Sequence, residues 1–467
     1  MTAEVVVMNK SAIALAADSK VTVSGARMSK TYDTVNKLFT LSKVHPVGIM
    51  IYGSADFMSF PWETIIKLYR KQKRGENEER VADWATDFSK FLKSFGNVSA
   101  KDKIENTTEF VRSWYSSILD EADDIAISRA ISIGSDEYIK LLKNIISEKI
   151  VFVTDKDLWL PEKRMKGFVD NYGSKVDETT KDYFEDFNDG ELTKLADQFI
   201  SCAIFYKYPS PTSSGIVIAG FGENELFPTV VSLECDGYVG SELKLYVESV
   251  VDISRNMPGA MRAFAQGEMV QRFMTGLDPA FGTALMTAFG ELLEKNCLEV
   301  LERYGTKANK AAKNIRAIED AVVASMNDLV GNVHKYTSRV YSDPIVQMVS
   351  LLPKDELANL AESLVALTSL KRRVSSEIET VGGAIDVAII SKSDGFIWIK
   401  RKYSFSEDLN PQFNLNYLND ILKGNINEAS KSKAMRRRTS GNVSAAGNPK
   451  KVKAKVAAKG KSNARRV

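Results

Sequence analysis

The first 22 residues constrain this chain more than any other stretch. Val5-Val6-Val7-Met8 and Ile13-Ala14-Leu15-Ala16-Ala17 are apolar runs separated by the polar Asn9-Lys10-Ser11, which reads as a β-hairpin with buried strands. Thr2 heads the first run. A small second residue permits removal of Met1, and Thr2 would then carry a hydroxyl and a free α-amine together. With an ordinary pKa of about 7.7–8.0, that amine can take the hydroxyl proton near neutral pH without a histidine. Alone, Thr2 reads as the first residue of an ordinary strand, so the chemical reading needs partners elsewhere in the chain.

Composition narrows the options. At 467 residues the chain has material for two to three domains, and its 44% apolar and 26% charged content suits a globular protein. No run approaches the roughly 18 apolar residues of a membrane span, and no basic-then-apolar leader opens the sequence, so we expect a cytoplasmic protein without a membrane partner. Cys202, Cys235 and Cys297 are widely spaced and odd in number, which gives neither a disulfide framework nor a zinc pattern. The two histidines, His45 and His334, leave little for a Ser-His-Asp arrangement. Residues 429–467 hold 13 of the 63 Lys and Arg and none of the 60 acids, so the first 428 residues carry a net charge of −10. An acidic body therefore ends in a basic, Ala-, Gly- and Ser-rich tail that cannot bury enough surface to fold alone.

Taken in order, residues 1–57 read as four strands at 4–8, 12–18, 37–41 and 47–52, with a polar loop over 24–36. An amphipathic helix is expected from Pro61, its apolar face marked by Trp62, Ile65, Ile66 and Leu68-Tyr69. Residues 72–205 turn charged and helical, with helices expected in 78–95 and 99–123. Strand signal returns at 215–222 and 226–233, ahead of an expected turn at Cys235-Asp236-Gly237, and 258–277 reads as helix. Another helical stretch spans 280–347, including 292–303 and 309–329. A helix after Pro353 carries Leu357, Leu360, Ala361, Leu364 and Leu367 on one stripe, and a hairpin over 383–391 and 396–402 turns at Ser393-Asp394-Gly395.

These features in sequence resemble the proteasome β-subunits and bacterial HslV peptidases, the N-terminal-nucleophile (Ntn) hydrolases. Four motifs carry the resemblance: Thr2 with Asp18-Ser19-Lys20-Val21-Thr22 at the family's spacing; Asn36-Lys37-Leu38; Tyr52-Gly53-Ser54-Ala55-Asp56 opening a helix; and the hairpin from Gly215 to Gly237 with its Ala219-Gly220 step. The junction Val381-Gly382-Gly383-Ala384-Ile385-Asp386-Val387 is similar as well. The resemblance implies an α+β protein, a four-layer αββα sandwich of the proteasome-like Ntn type with helical insertions. Its discontinuous core would be residues 1–70, 210–280 and 352–405, interrupted by helical insertions at 71–209 and 281–351. A C-terminal extension at 406–428 and the basic tail at 429–467 would follow.

The resemblance also implies roles. Thr2 would supply the nucleophile and its amine the base. Lys37 would sit beside Thr2 and lower the hydroxyl pKa, with Asp18 keeping Lys37 charged and oriented. The Gly53 N–H would face the oxyanion, Thr22 would hold an extended substrate by main-chain hydrogen bonds, and Val21, Ile51 and Ala55 would line an apolar specificity pocket. No cofactor or metal is implied. The partners implied are a peptide or protein substrate, further copies of the chain and a separate ATPase unfoldase, since no Walker A loop is present in the sequence.

Departures from the pattern leave alternatives open. Gln266-Gly267 stands where the family has a serine, and the second acid and serine fall near residues 378–381, where Glu379 or Glu377 can substitute for the acid and no serine is found. Besides a threonine peptidase, the residues suit a small-amide hydrolase of the Ntn class or a proteasome-fold assembly protein with weakened chemistry. The tail, with Arg436-Arg437-Arg438 and a lysine cluster over 450–461, suits contacts to nucleic acid or acidic partners but offers no aromatic for base stacking.

Overall fold

The computed structural model describes residues 2–25, 28–73, 75–304, 312–375, 381–402, 410–412 and 415. The tail, most of the extension and Glu377 and Glu379 lie outside them. The chain begins with β1 (Ala3–Asn9), β2 (Ile13–Ala17), β3 (Val21–Gly25), β4 (Met28–Tyr32), β5 (Leu38–Thr40) and β6 (Val47–Gly53). The short β7 (Asp56–Phe57) and β8 (Phe60–Pro61) then precede α1 (Trp62–Lys73) and α2 (Val81–Lys93). Four long helices follow: α3 (Ala100–Ser128), α4 (Asp136–Thr154), α5 (Glu162–Phe184) and α6 (Gly190–Phe205). Strands resume with β9 (Ser214–Gly220), β10 (Thr229–Val239), β11 (Glu242–Asp252) and β12 (Gly259–Ala265). The remaining elements are α7 (Glu268–Thr275), α8 (Pro279–Tyr304), α9 (Ala312–Thr337), α10 (Asp343–Val349), α11 (Lys354–Val374), β13 (Asp386–Ser391) and β14 (Gly395–Lys400).

The protein is mixed α+β, built on two five-stranded antiparallel sheets, β12-β1-β2-β13-β14 and β11-β10-β9-β6-β5. Period-two alternation explains how β1 and β2 serve two cores at once. Val6, Met8, Ile13, Leu15 and Ala17 face the second sheet, meeting Leu38, Met50, Val217 and Val230. Val5, Val7, Ala12, Ala14 and Ala16 face the other way, against Leu357, Ala361, Leu364 and Val365 of α11. The alanines of β2 let that helix approach closely. On the far side of the second sheet, Ile49, Ile51, Ile218 and Leu233 pack against Ile65, Ile66, Trp84 and Phe88 of α1 and α2. The β1–β2 turn is fixed by Asn9, whose Oδ1 accepts Ser11 N at 2.9 Å while its Nδ2 donates to the carbonyls of Val349 and Leu352.

Several expectations are corrected. The polar loop expected over 24–36 contains most of the antiparallel pair β3–β4. The helix expected over 258–277 begins only at α7, because 259–265 is a strand whose every residue pairs with β1. The turn expected at Cys235-Asp236-Gly237 is a register shift inside β10, a bulge that kinks the strand without ending it.

Within 71–209, α2 belongs to the core beneath the second sheet, and α3–α6 build a core of their own around Trp114, Tyr115, Phe184 and Phe199. Polar anchors fasten that bundle to the sheet. Lys244 of β11, fully buried, donates to the carbonyls of Ala203 and Tyr208, both at 2.7 Å, and lies 3.4 Å from Asp236. Asn106 donates to the carbonyls of Asp236 and Tyr238 at 2.9 and 3.0 Å. Burial pulls the Lys244 pKa down and Asp236 opposes that pull. Among the described residues no helix is long and apolar enough to cross a membrane.

Removing one partner of a buried ion pair strands the other charge, which typically costs about 3–5 kcal/mol. We expect Lys244→Met to lower the urea midpoint of the α3–α6 signals by an amount of that order, and Lys244→Met with Asp236→Asn to recover part of the loss. Equal midpoints for wild type and Lys244→Met would contradict the anchoring role.

Candidate active site

Antiparallel pairing brings the end of β2 back beside the start of β1, so Asp18 and Thr2 become neighbours. The backbone N–H of Asp18 donates to Ala3 O, and the N–H of Ala3 returns to Asp18 Oδ1, both at 3.1 Å. On the other side, Gln266 N donates to Thr2 O at 3.1 Å. Thr2 is thus held on both flanks at the head of its strand, and is buried at 3% exposure.

Lys37 reaches this point from the residue preceding β5, on the opposite sheet. Its Nζ donates to Asp18 Oδ1 and to the Lys20 carbonyl, both at 2.6 Å. Asp18 Oδ2 accepts Gly382 N at 3.0 Å and Lys20 N at 3.4 Å. Counting the Ala3 N–H, this buried carboxylate accepts four donors, which matches its roughly four lone-pair sites. Burial pulls the Lys37 pKa below the usual lysine range, and Asp18 resists that pull by charge and hydrogen bond. Ser19 ties the same corner to the junction before β13, its N donating to Gly382 O at 3.2 Å and its Oγ to Ala384 O at 2.6 Å.

Gly53 closes β6 with φ at +79°, and a Cβ there would fall 2.2 Å from Ser213 O. Glycine is therefore required by both conformation and space. Beside it, Tyr52 donates to Glu234 Oε1 at 2.6 Å and stacks on Phe264. Burial and neighbouring acids push the Glu234 pKa up to about 7 and raise that of Tyr52.

Asp18 and Lys37 are hydrogen-bonded to each other, Asp18 also holds the N–H of Ala3, the residue after Thr2, and Gln266 N donates to the Thr2 carbonyl. Val21 and Thr22 follow Lys20 directly and open β3, where they pair with Tyr32 and Thr31. Ile51 is 5% exposed, its side chain enclosed in the helix-side core. Ala55 is exposed in the loop before α1, where its carbonyl accepts Trp62 N at 3.1 Å. Gly267 caps α7 and accepts Gln271 N at 2.8 Å. Two participants escaped sequence reasoning. One is the Gly382 N–H, whose role depends on a contact 364 residues distant. The other is Glu4, fully buried, with both carboxyl oxygens lacking a hydrogen bond among the described residues. An acid in an otherwise apolar strand, two residues from Thr2, was the signal available. Burial raises the Glu4 pKa well above the carboxylate range, Lys37 lowering it and Asp18 adding to the rise. Among the described residues no group of three His, Cys, Asp or Glu is arranged to hold a metal.

Asp18→Asn places an amide NH2 among donors and leaves the Lys37 ammonium buried without its counter-charge. Lys37→Met leaves Asp18 its three backbone donors. We expect Asp18→Asn to be the more destabilising, by about 3–5 kcal/mol, in equilibrium denaturation followed at Thr2's sheet. A larger loss in Lys37→Met would contradict this ranking.

No family model matches the chain, and no curated protein matches it. Among solved structures it is similar to the Anbu (Gly-1) mutant from Hyphomicrobium sp. strain MC1, with 9% identity over 94% of this chain and 97% of that one. The TM-score is 0.24, too low for that likeness to carry an argument.

Proposed function

We propose that this chain is a threonine-type peptidase of the proteasome-like Ntn class, its two sheets and flanking helices forming the αββα sandwich of that class. The observation supporting this reading lies next to Thr2: a buried lysine donates to a buried carboxylate that also accepts the first peptide N–H after Thr2. With Met1 removed, the α-amine of Thr2 takes the Oγ1 proton and Oγ1 attacks the scissile carbonyl carbon. The positive charge of Lys37 stabilises the alkoxide character of Oγ1, and Asp18 fixes that charge in place. The Gly53 N–H stabilises the oxyanion. The proton passes to the leaving amine, and water then hydrolyses the acyl-enzyme, returning Thr2.

Val21 and Ala55 are the proposed pocket residues, Ile51 being enclosed in the helix-side core, and Thr22 is the proposed main-chain clamp for an extended peptide. Assembly with further copies and delivery of substrate by a separate ATPase belong to the same proposal, as does a cytoplasmic location. Gln266, standing where the family carries serine, favours a second reading: a proteasome-fold binding protein without peptidase chemistry. Turnover of fluorogenic peptides and of small amides separates these readings from an amidase. The peptidase account expects peptide hydrolysis that falls by at least about 10²-fold in Thr2→Ala and in Lys37→Ala. Peptide turnover unchanged in Thr2→Ala would refute it, and preferential turnover of small amides would move the chain to the amidase reading.

A further inference from the structure

Residues two apart on a strand share a face, so Thr2, Glu4 and Val6 all point into the space between the two sheets, where Val6 is packed. Ala3, between the first two, is hydrogen-bonded to Asp18 Oδ1 at 3.1 Å, and that same oxygen holds Lys37 Nζ at 2.6 Å. The ammonium is thereby fixed at the level of Ala3, flanked along the strand by Thr2 and Glu4. Glu4 faces apolar neighbours across the sheet, Ala17 on β2 and Phe264 on β12, and its carboxyl oxygens make no hydrogen bond among the described residues.

We propose that Glu4 is a third member of the Asp18–Lys37 cluster, a positioning residue that stabilises the Lys37 ammonium beside Thr2. A buried carboxyl with apolar cross-strand partners and one nearby cation has a single electrostatic counterpart, and that counterpart is Lys37. Burying Glu4 as the neutral acid costs less than burying it as the carboxylate. As a carboxylate, Glu4 opposes the downward pull that burial exerts on the Lys37 pKa. Asp18 acts on Lys37 by charge and by hydrogen bond, and Glu4 adds to that support by charge.

The other groups facing this space are Tyr52 of β6 and Glu234 of β10; Glu234, Glu4 and the exposed Glu248 of β11 all raise the Tyr52 pKa. On β12, Arg262 lies opposite Val6 and is exposed. Lys402, paired with Asp386 at 2.5 Å, opposes the charge on Lys37 from the end of β14. None of these replaces Glu4 as an anion at the level of Ala3. The catalytic meaning of the charge on Lys37 rests on the peptidase reading above; the electrostatic coupling does not.

The test is 13C NMR of the full chain labelled at lysine Cε, with the Lys37 line identified by its loss in Lys37→Arg. The Lys37 titration midpoint is expected at lower pH in Glu4→Gln than in wild type, with Glu4→Asp restoring part of the difference. An identical midpoint in wild type and in both Glu4 variants would overturn the proposal. The alkaline limb of peptide hydrolysis is expected to follow the NMR midpoint downward in Glu4→Gln. A shifted midpoint in a chain with no peptidase activity would sustain the coupling and remove the peptidase reading. An unshifted midpoint in an active chain would do the opposite.

Discussion

One buried carboxylate organises the structure around Thr2. Asp18 binds the strand that begins there, the lysine that arrives from the opposite sheet, the loop that leads into β3 and the junction that leads into β13. Each is a different part of the chain, and each brings an N–H or an ammonium that would be costly to bury alone. Moving any one of them exposes a deficit at the others. The two sheets are packed by apolar contacts along most of their length, but at the Thr2 end the link is ionic. Apolar packing sets how the sheets stack, while this cluster sets where Lys37 lies relative to Thr2.

Much of this was legible in the sequence because it depends on short-range pattern. The β1–β2 hairpin, α1 from Pro61, the apolar stripe of α11 and the β13–β14 hairpin all announce themselves by periodicity and turn residues. What was not legible depends on distant partners. Gly259–Ala265 reads as a helix entrance on its own, and becomes a strand because β1 offers an unpaired edge along its whole length. Cys235-Asp236-Gly237 carries turn chemistry, yet pairing with β9 as far as Cys235 and with β11 as far as Val239 carries β10 through it and leaves a bulge there. At the site, the resemblance singles out Thr2, Asp18 and Lys37, whereas Glu4 reads as one acid in a strand. Its burial becomes apparent only when the second sheet covers it.

The same division between apolar packing and polar placement recurs at the helical bundle. The interior of α3–α6 is aromatic and aliphatic, but its seat on the sheet is fixed by Lys244, Asp236 and Asn106. Apolar surfaces tolerate sliding; a buried ammonium satisfied by two specific carbonyls does not. Polar groups of this kind, buried and paired, are where this fold trades hydration for register.

The central claim is that Thr2, freed of Met1, is a nucleophile set up by Lys37 and Asp18. The most direct measurement is the intact mass of the purified full chain before and after a peptide epoxyketone, which needs a terminal hydroxyl and a free amine to form its ring adduct. The account predicts a mass lacking Met1 and a single adduct that disappears in Thr2→Ala. Retained Met1, or a chain that lacks Met1 and forms no adduct, would contradict it.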